Sequence, residues 1–133
     1  MGSGILIDTS VLIAIERGEV DFGAVTSDLN EGVGMSSVTA HELLRGLARL
    51  PAGVRRARSE RWLESLLSAV PIIEYDLEVA RVHAALWAEM SASGRALGAH
   101  DQMIAATAIS LGYDLATRGR AFHAVPDLAL RRW

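Results

Sequence analysis

Residues 4–13 read Gly4-Ile5-Leu6-Ile7-Asp8-Thr9-Ser10-Val11-Leu12-Ile13, and this stretch decides the fold. It opens with an unbroken apolar run, which is typical of a strand buried on both faces. Asp8, Thr9 and Ser10 end the run, and the apolar residues that follow recur at helical spacing. The stretch therefore predicts a buried strand, a turn and a helix, with Asp8 at the carboxyl end of the strand.

The rest of the chain repeats this alternation of short apolar strands and helices. We predict further strands at residues 32–38, 71–74, 114–117 and 128–130. We predict helices at residues 21–29, 39–50, 53–69, 76–94 and 100–112, with Asp76 as an N-cap. Such alternation is typical of an α/β domain with a mainly parallel sheet.

The length and composition suit one folded domain. The chain has 133 residues, half of them apolar, and we expect a single domain over residues 1–133, with residues 1–3 a candidate expression scar. The apolar run from Ile5 to Ile15 is broken by Asp8 and is too short to cross a bilayer. We therefore expect a cytoplasmic protein.

The absence of two residue types excludes several chemistries. Without cysteine there can be no disulfide, thiolate zinc site or cysteine nucleophile. All 13 basic residues are arginine, which excludes Schiff-base, P-loop and receiver-domain chemistry because each needs a lysine. The formal net charge of −3 argues against a protein that coats nucleic acid, so any such contact should be local.

Three carboxylates occupy equivalent positions in the predicted fold. Asp8 ends the first strand, Glu42 lies in the predicted first turn of the helix after the second strand, and Asp101 begins the helix before the Asp114 strand. Ligands of open parallel sheets gather at such strand and helix ends. Two carboxylates about 4 Å apart repel by roughly 4 kcal/mol, so a cluster favours a hard cation such as Mg²⁺ or Mn²⁺. That cation could activate water for attack on a phosphodiester.

Each carboxylate also has a purely structural interpretation. Thr39 and Glu42 match a capping box, in which Glu42 reaches back to the Thr39 amide. Asp101 suits the first turn of a helix because of the helix dipole, and Asp8 could be an ordinary N-cap. These alternatives stay open at this point.

Four segments carry a resemblance to a known family: Ile5 to Ile13, Ser37 to Gly46, Gly98 to Ala108, and Leu115 to Arg118. Together they resemble the PIN-domain family, specifically the VapC toxins of bacterial toxin–antitoxin pairs. The resemblance implies a three-layer α/β/α domain with four to five short strands. It also implies a Mg²⁺- or Mn²⁺-dependent endoribonuclease that cleaves structured RNA, tRNA or rRNA, and is neutralised by a VapB-type antitoxin. Homodimers or toxin–antitoxin hetero-oligomers are expected, with no membrane association.

The resemblance also assigns roles to individual residues. Asp8, Glu42 and Asp101 fall on the catalytic, metal-binding positions, with Thr9 and Thr117 supporting them through their hydroxyls. From position alone, Arg118, Arg120 and Arg45 are candidate RNA contacts, although solvated surface arginines are the commoner case. His41 and His100 could tune a pKa or touch phosphate, but we interpret them as polar residues at helix starts. Candidate walls of an apolar antitoxin groove, which could equally be core residues, are Leu43, Leu47, Trp62, Leu66 and Leu67.

One departure from the family pattern bears on activity. Gly119 stands where family members usually carry an acidic residue or Asn, and Asp114 lies too far along its strand to replace it. This predicts a weaker or absent second metal position. An alternative function is therefore a catalytically weakened or inactive PIN-like module that acts through antitoxin binding or dimerisation. A phosphatase with Asp8 as nucleophile fits less well, because it needs a second Asp at position 10 and a lysine.

Overall fold

The computed structural model describes residues 3–27 and 31–133. Its strands are β1 (Gly4–Ile7), β2 (Gly32–Ser36), β3 (Ile72–Ile73), β4 (Asp114–Ala116) and β5 (Leu130–Arg131). Its α-helices are α1 (Thr9–Glu16), α2 (Phe22–Thr26), α3 (Ser37–Ala48), α4 (Val54–Ala69), α5 (Leu77–Ala92) and α6 (Ala99–Leu111). A 3₁₀ helix, which the sequence did not predict, covers Arg120–Ala124.

The five strands form one parallel sheet in the order β3-β2-β1-β4-β5. The central strand β1 is buried along its whole length, as its apolar run predicts. Leu6 pairs with Gly34 of β2 on one side and with Leu115 of β4 on the other. The carboxyl end of β1, and with it Asp8, is therefore flanked by the ends of β2 and β4.

Helices cover both faces of this sheet. Leu6 packs in a core with Leu86 of α5 and Ile104 of α6. Ile7, which points to the opposite face because side chains alternate along a strand, packs in a second core with Leu43 of α3 and Leu63 of α4. The predicted three-layer α/β/α fold with four to five short strands is confirmed.

The boundary between β2 and α3 differs from the prediction. The strand ends at Ser36, and the helix begins at Ser37 instead of Thr39. Ser36 is the N-cap, since its Oγ accepts a 3.0 Å hydrogen bond from the Val38 amide. Thr39 is thus already helical, and Glu42 is not in the first turn. The capping-box interpretation of Thr39 and Glu42 is wrong, because a residue inside the helix cannot cap it.

The ends of three other elements, α5, α6 and β5, are explained by their hydrogen bonds and backbone conformation. The Asp76 carboxylate accepts from the Val79 amide at 2.9 Å, which confirms the predicted N-cap of α5. Gly112 ends α6 in the left-handed region at φ 69°. The last strand lies at Leu130–Arg131 instead of 128–130, because its ladder runs from Leu115 N to Ala129 O and from Thr117 N to Arg131 O.

Two expectations lie partly outside the described residues. The predicted helix at 21–29 is observed only as Phe22–Thr26, and residues 28 and 29 are outside the described ranges. Residues 1 and 2 of the candidate scar are outside them as well. Among the helices of the described ranges, none has the length and apolar character that a membrane span requires.

Candidate acidic site

Asp8 lies at the point where β1 passes into α1, and it is only 5% exposed. Its main chain begins the helix, because its carbonyl accepts from the amides of Val11 and Leu12. Its side chain does not cap the helix. The carboxylate Oδ2 instead accepts from the hydroxyls of Ser10, at 2.7 Å, and Thr117, at 2.8 Å. The N-cap interpretation of Asp8 therefore accounts for its backbone but not for its carboxylate.

Glu42 is held against the same edge of the sheet by a residue next to Asp8. The Thr9 hydroxyl donates to Oε1 of Glu42 at 2.6 Å. The other oxygen, Oε2, lies 3.5 Å from Nδ1 of His100, whose ring also makes an edge contact with His41 at 5.7 Å between centroids. Thr9 thus joins α1 to α3, and His100 brings the start of α6 to the same carboxylate.

Asp101 completes the cluster from the first turn of α6, where it is half-buried. Burial raises the pKa of its carboxyl, and the charges of Asp8 and Glu42 raise that pKa further, whereas His100 opposes them. The three predicted carboxylates therefore lie close enough to repel one another. In the side-chain positions found across residues 3–27 and 31–133, however, no three Asp, Glu, His or Cys groups enclose a metal ion.

Hydroxyl and amide groups line the β4 side of the cluster. Thr117 Oγ1, which donates to Asp8, also accepts from the Gly119 amide at 2.9 Å. Ser10 Oγ, which donates to Asp8, accepts from the Arg118 amide at 3.0 Å. Ser10 was missed by the sequence reasoning, although its place two residues after Asp8 was a usable signal. These bonds fix residues 117–119 against the start of α1.

Gly119 has no conformational need to be glycine. Its backbone is extended, at φ −83° and ψ 128°. An added Cβ would meet Thr117 Oγ1 at 3.4 Å and the Phe122 ring at 3.5 Å, which are ordinary contact distances. Asp114 offers no substitute carboxylate, since its Oδ2 accepts a 2.8 Å hydrogen bond from Arg131. The side of the cluster beside Gly119 therefore accepts a larger side chain but has no acid.

The candidate RNA contacts differ in their surroundings. Arg118 forms a 2.9 Å ion pair with Glu19, and both side chains are exposed. Arg120 and Arg45 are exposed, on the 3₁₀ helix and on α3. Sequence reasoning missed the pairing of Arg118, because Glu19 lies almost a hundred positions away in the chain.

A groove of about 520 Å³ begins at Glu42 and runs between α1, α3 and α4. Leu43, Leu47 and Trp62 line it, as predicted, and Arg17, Arg55 and Arg58 contribute charge to its wall. Leu66 and Leu67 do not line it, which agrees with the alternative interpretation as core residues. They lie beyond the part of α4 that lines the groove, and they pack against the core on that face of the sheet.

Comparison with known proteins identifies the family of this chain. A family model for the PIN domain matches residues 5–128. The VapC ribonuclease Y4jK of Sinorhizobium fredii is 35% identical over 120 residues, which cover 86% of each chain. The tRNA(fMet)-specific endonuclease VapC of Shigella flexneri is 29% identical over 130 residues, which cover 96% of each chain.

A solved structure has the same fold. It is VapBC-1 from nontypeable Haemophilus influenzae, with a TM-score of 0.86, 25% identity and coverage of 98% of both chains. The chain belongs to the PIN-domain family. Within that family its relatives place it with the VapC-type toxins.

Proposed function

We propose that this chain is a metal-dependent endoribonuclease toxin that a VapB-type antitoxin neutralises. The observation that carries the proposal is that Asp8, Glu42 and Asp101 come from three distant parts of the chain to one edge of the sheet. Thr9, the neighbour of Asp8, bonds to Glu42, and the charges of Asp8 and Glu42 add to burial in raising the pKa of Asp101. The names of the relatives support the activity, since they include a VapC ribonuclease and a tRNA(fMet)-specific endonuclease. A structured RNA such as tRNA or rRNA is therefore the proposed substrate.

The donor set suits a hard divalent cation. Its ligands would be the carboxylate oxygens of Asp8, Glu42 and Asp101. Burial and, after it, the charges of Asp8 and Glu42 raise the pKa of Asp101, and a cation would offset those charges. Oxygen donors favour Mg²⁺ or Mn²⁺ over softer metals. Because the side chains do not enclose an ion as placed, binding requires them to turn toward a common point. When bound, such a cation activates water and neutralises charge on the phosphate oxygens.

The chain's own residues orient two of the carboxylates. Ser10 and Thr117 both donate to Oδ2 of Asp8, and Thr9 donates to Oε1 of Glu42. Such hydrogen bonds limit the rotation of each carboxylate. In the hydrolysis a water oxygen forms a bond to phosphorus, the bond from phosphorus to one ribose oxygen breaks, and that oxygen takes a proton. In this proposal Asp8 and Glu42 serve as metal ligands.

The groove that begins at Glu42 is the proposed antitoxin site. Its apolar wall of Leu43, Leu47 and Trp62 suits the apolar face of a peptide, and its arginines suit acidic side chains. A peptide in this groove would reach Glu42 and block the cluster. We propose that the chain is a single domain and that it forms a homodimer or a toxin–antitoxin hetero-oligomer. Its proposed location is the cytoplasm.

Gly119 favours a second candidate function. The β4 side of the cluster has the hydroxyl of Thr117 and no carboxylate, so the second metal position would be weak or missing. In that case the chain is a catalytically weakened or inactive module that acts through antitoxin binding or dimerisation.

The test is cleavage of total bacterial RNA by the purified, antitoxin-free chain with Mg²⁺ and then with Mn²⁺. We expect discrete cleavage products that an Asp101→Asn variant does not produce. If the natural chain and a Gly119→Asp variant are both no more active than Asp101→Asn, the enzymatic proposal fails. Calorimetric titration of Mn²⁺ separately distinguishes the ribonuclease from the binding module, because a binding module needs no metal site.

A further inference from the structure

A second, smaller depression opens on the other side of the acidic cluster. It has a volume of about 230 Å³ and begins at Thr117, whose hydroxyl bonds to Asp8. Gly119 forms part of its wall, and His123 and Arg132 line it together with Arg118 and Arg131. We call it the C-terminal recess. It shares no lining residue with the groove that begins at Glu42.

The charges in the recess are not equally available. Arg131 bonds to both Glu31, at 2.7 Å, and Asp114, at 2.8 Å, and Arg118 pairs with Glu19. Arg132 has no ion pair within the described ranges, and its side chain is exposed. His123 is exposed as well and offers a ring N–H in either tautomer. The free donors of the recess therefore belong to Arg132 and His123.

We propose that the C-terminal recess binds a phosphate of the RNA strand next to the one that is cleaved, with Arg132 as its main contact and His123 as a second donor. This inference rests on the proposed function. A phosphodiester held at Asp8 lies beside Thr117, and the strand must leave the cluster in some direction. Thr117 belongs to both sites, because its hydroxyl bonds to Asp8 and the residue lines the recess.

The lining favours RNA over the antitoxin as the occupant. Among the described residues, Leu130 is the one large apolar side chain that lines the recess, whereas several leucines and a tryptophan line the groove at Glu42. A peptide helix needs apolar contact area, but a phosphate needs N–H donors and positive charge. The two depressions therefore suit two different ligands that meet at one cluster.

The expected RNA contact is therefore Arg132 and not the arginines that the sequence favoured. Arg118 lines the recess but is paired with Glu19, and Arg120 does not line it. The guanidinium of Arg132, near the end of the chain, is the group that a phosphate can reach without breaking an existing ion pair.

The experiment measures binding of purified bulk bacterial tRNA to the Asp101→Asn chain, which should bind without cleaving. Fluorescence anisotropy at salt concentrations from about 50 to 200 mM gives the affinity and its salt dependence. In this background we compare Arg132→Ala, Arg132→Lys and His123→Ala. The matched control is Arg81→Ala, which removes an exposed arginine of α5 that lines neither depression.

We expect Arg132→Ala to weaken tRNA binding roughly tenfold and to reduce the salt slope by about 0.7 to 0.9, the value for one lost phosphate contact. Arg132→Lys should restore the slope, and Arg81→Ala should leave both quantities unchanged. His123→Ala should have a smaller effect on affinity.

An Arg132→Ala chain that binds tRNA with the same affinity and slope as the control would overturn the inference, while leaving the proposed function intact if the natural chain cleaves RNA. The inference is also wrong if Arg132→Ala weakens antitoxin binding but not tRNA binding. Failure of the proposed function looks different, since the natural chain would then neither cleave nor bind RNA.

Discussion

The two sides of the acidic cluster are built from different chemical groups. On one side, Thr9 and His100 contact the carboxylate of Glu42, and a large apolar groove leads away from it. On the side of Thr117 the contacts to Asp8 are hydroxyls, position 119 has no side chain, and the recess is small and polar. The negative charge of the site is therefore concentrated on one side. A metal ion should sit toward Glu42 and Asp101, and the RNA strand should extend toward β4.

The largest expected effect comes from the residue that both sides share. Asp8→Asn keeps the size of the side chain but removes its charge, and we expect RNA cleavage to fall by roughly a thousandfold, because the charge stabilisation of the site is lost. The measurement is the initial rate on a labelled RNA substrate with Mn²⁺. Asp127→Asn is the matched control, since Asn also tolerates the positive φ of 62° at that position. Equal rates for both variants would contradict a role for Asp8.

The next effect tests the Glu42 side alone. Leu47→Ala shortens a side chain that lines the groove, and we expect antitoxin binding to weaken roughly tenfold or more while RNA cleavage is retained. Leu44→Ala is the control, because Leu44 lies on the same helix, is 42% exposed and does not line the groove. Surface plasmon resonance with the cognate antitoxin gives both affinities. Equal losses in the two variants would show that the groove is not the antitoxin site.

A smaller effect is expected from adding a carboxylate on the Thr117 side of the cluster. Gly119→Asp adds a carboxylate where a Cβ meets only ordinary contacts, and we expect the Mn²⁺ concentration for half-maximal cleavage to fall about tenfold. Gly119→Asn is the control, since it adds the same volume without the charge. If Asn and Asp have the same effect, the missing charge on this side is not what limits Mn²⁺ binding.

The smallest effect is a pH dependence that distinguishes Asp101 from its neighbours. Its raised pKa means that the folded chain without metal takes up a proton at this site more readily than the unfolded chain. The contribution of Asp101 to the free energy of unfolding is therefore greatest at low pH. It falls as the pH rises from the ordinary carboxyl pKa through the raised pKa of the folded chain. Mn²⁺ affinity should change in the opposite sense, weakening as pH falls through that window.

Calorimetric Mn²⁺ titrations between pH 4 and pH 7 measure this dependence. In an Asp101→Asn chain the remaining affinity should vary less with pH across the same range. A variant with the same pH dependence as the natural chain would show that Asp101 is not the titrating group.

Local sequence was sufficient for the parts of the fold that depend on local chemistry. The apolar run of β1, the cap at Asp76 and the end of α6 at Gly112 were all evident from residue type and spacing. The start of α3 was not, because Val38 is β-branched and favours a strand, and Thr39 with Glu42 imitates a capping box. The side chain of Ser36, by capping the helix, decides the boundary.

The acids of the candidate site and the hydroxyls of Thr9 and Thr117 were expected from the sequence, but the contacts of Ser10 and His100 were not. Position relative to strand and helix ends was enough to bring Asp8, Glu42 and Asp101 together in a hypothesis. The bond from Ser10 to the Arg118 amide and the approach of His100 to Glu42 depend on how separate elements pack. Such contacts follow from tertiary structure, and sequence spacing does not reveal them.

The contact between Thr117 and Asp8 also sets the order in which the site can be completed. These residues are 109 positions apart, and β4 is the neighbour of β1 that carries Thr117 to Asp8. During synthesis the ribosome would release the start of β1 long before β4 exists. A growing chain therefore has Asp8 without the hydroxyl that holds its carboxylate, and the cluster can form only once nearly all of the polypeptide has emerged. A chain with this connectivity therefore lacks a complete acidic site until its translation is almost finished.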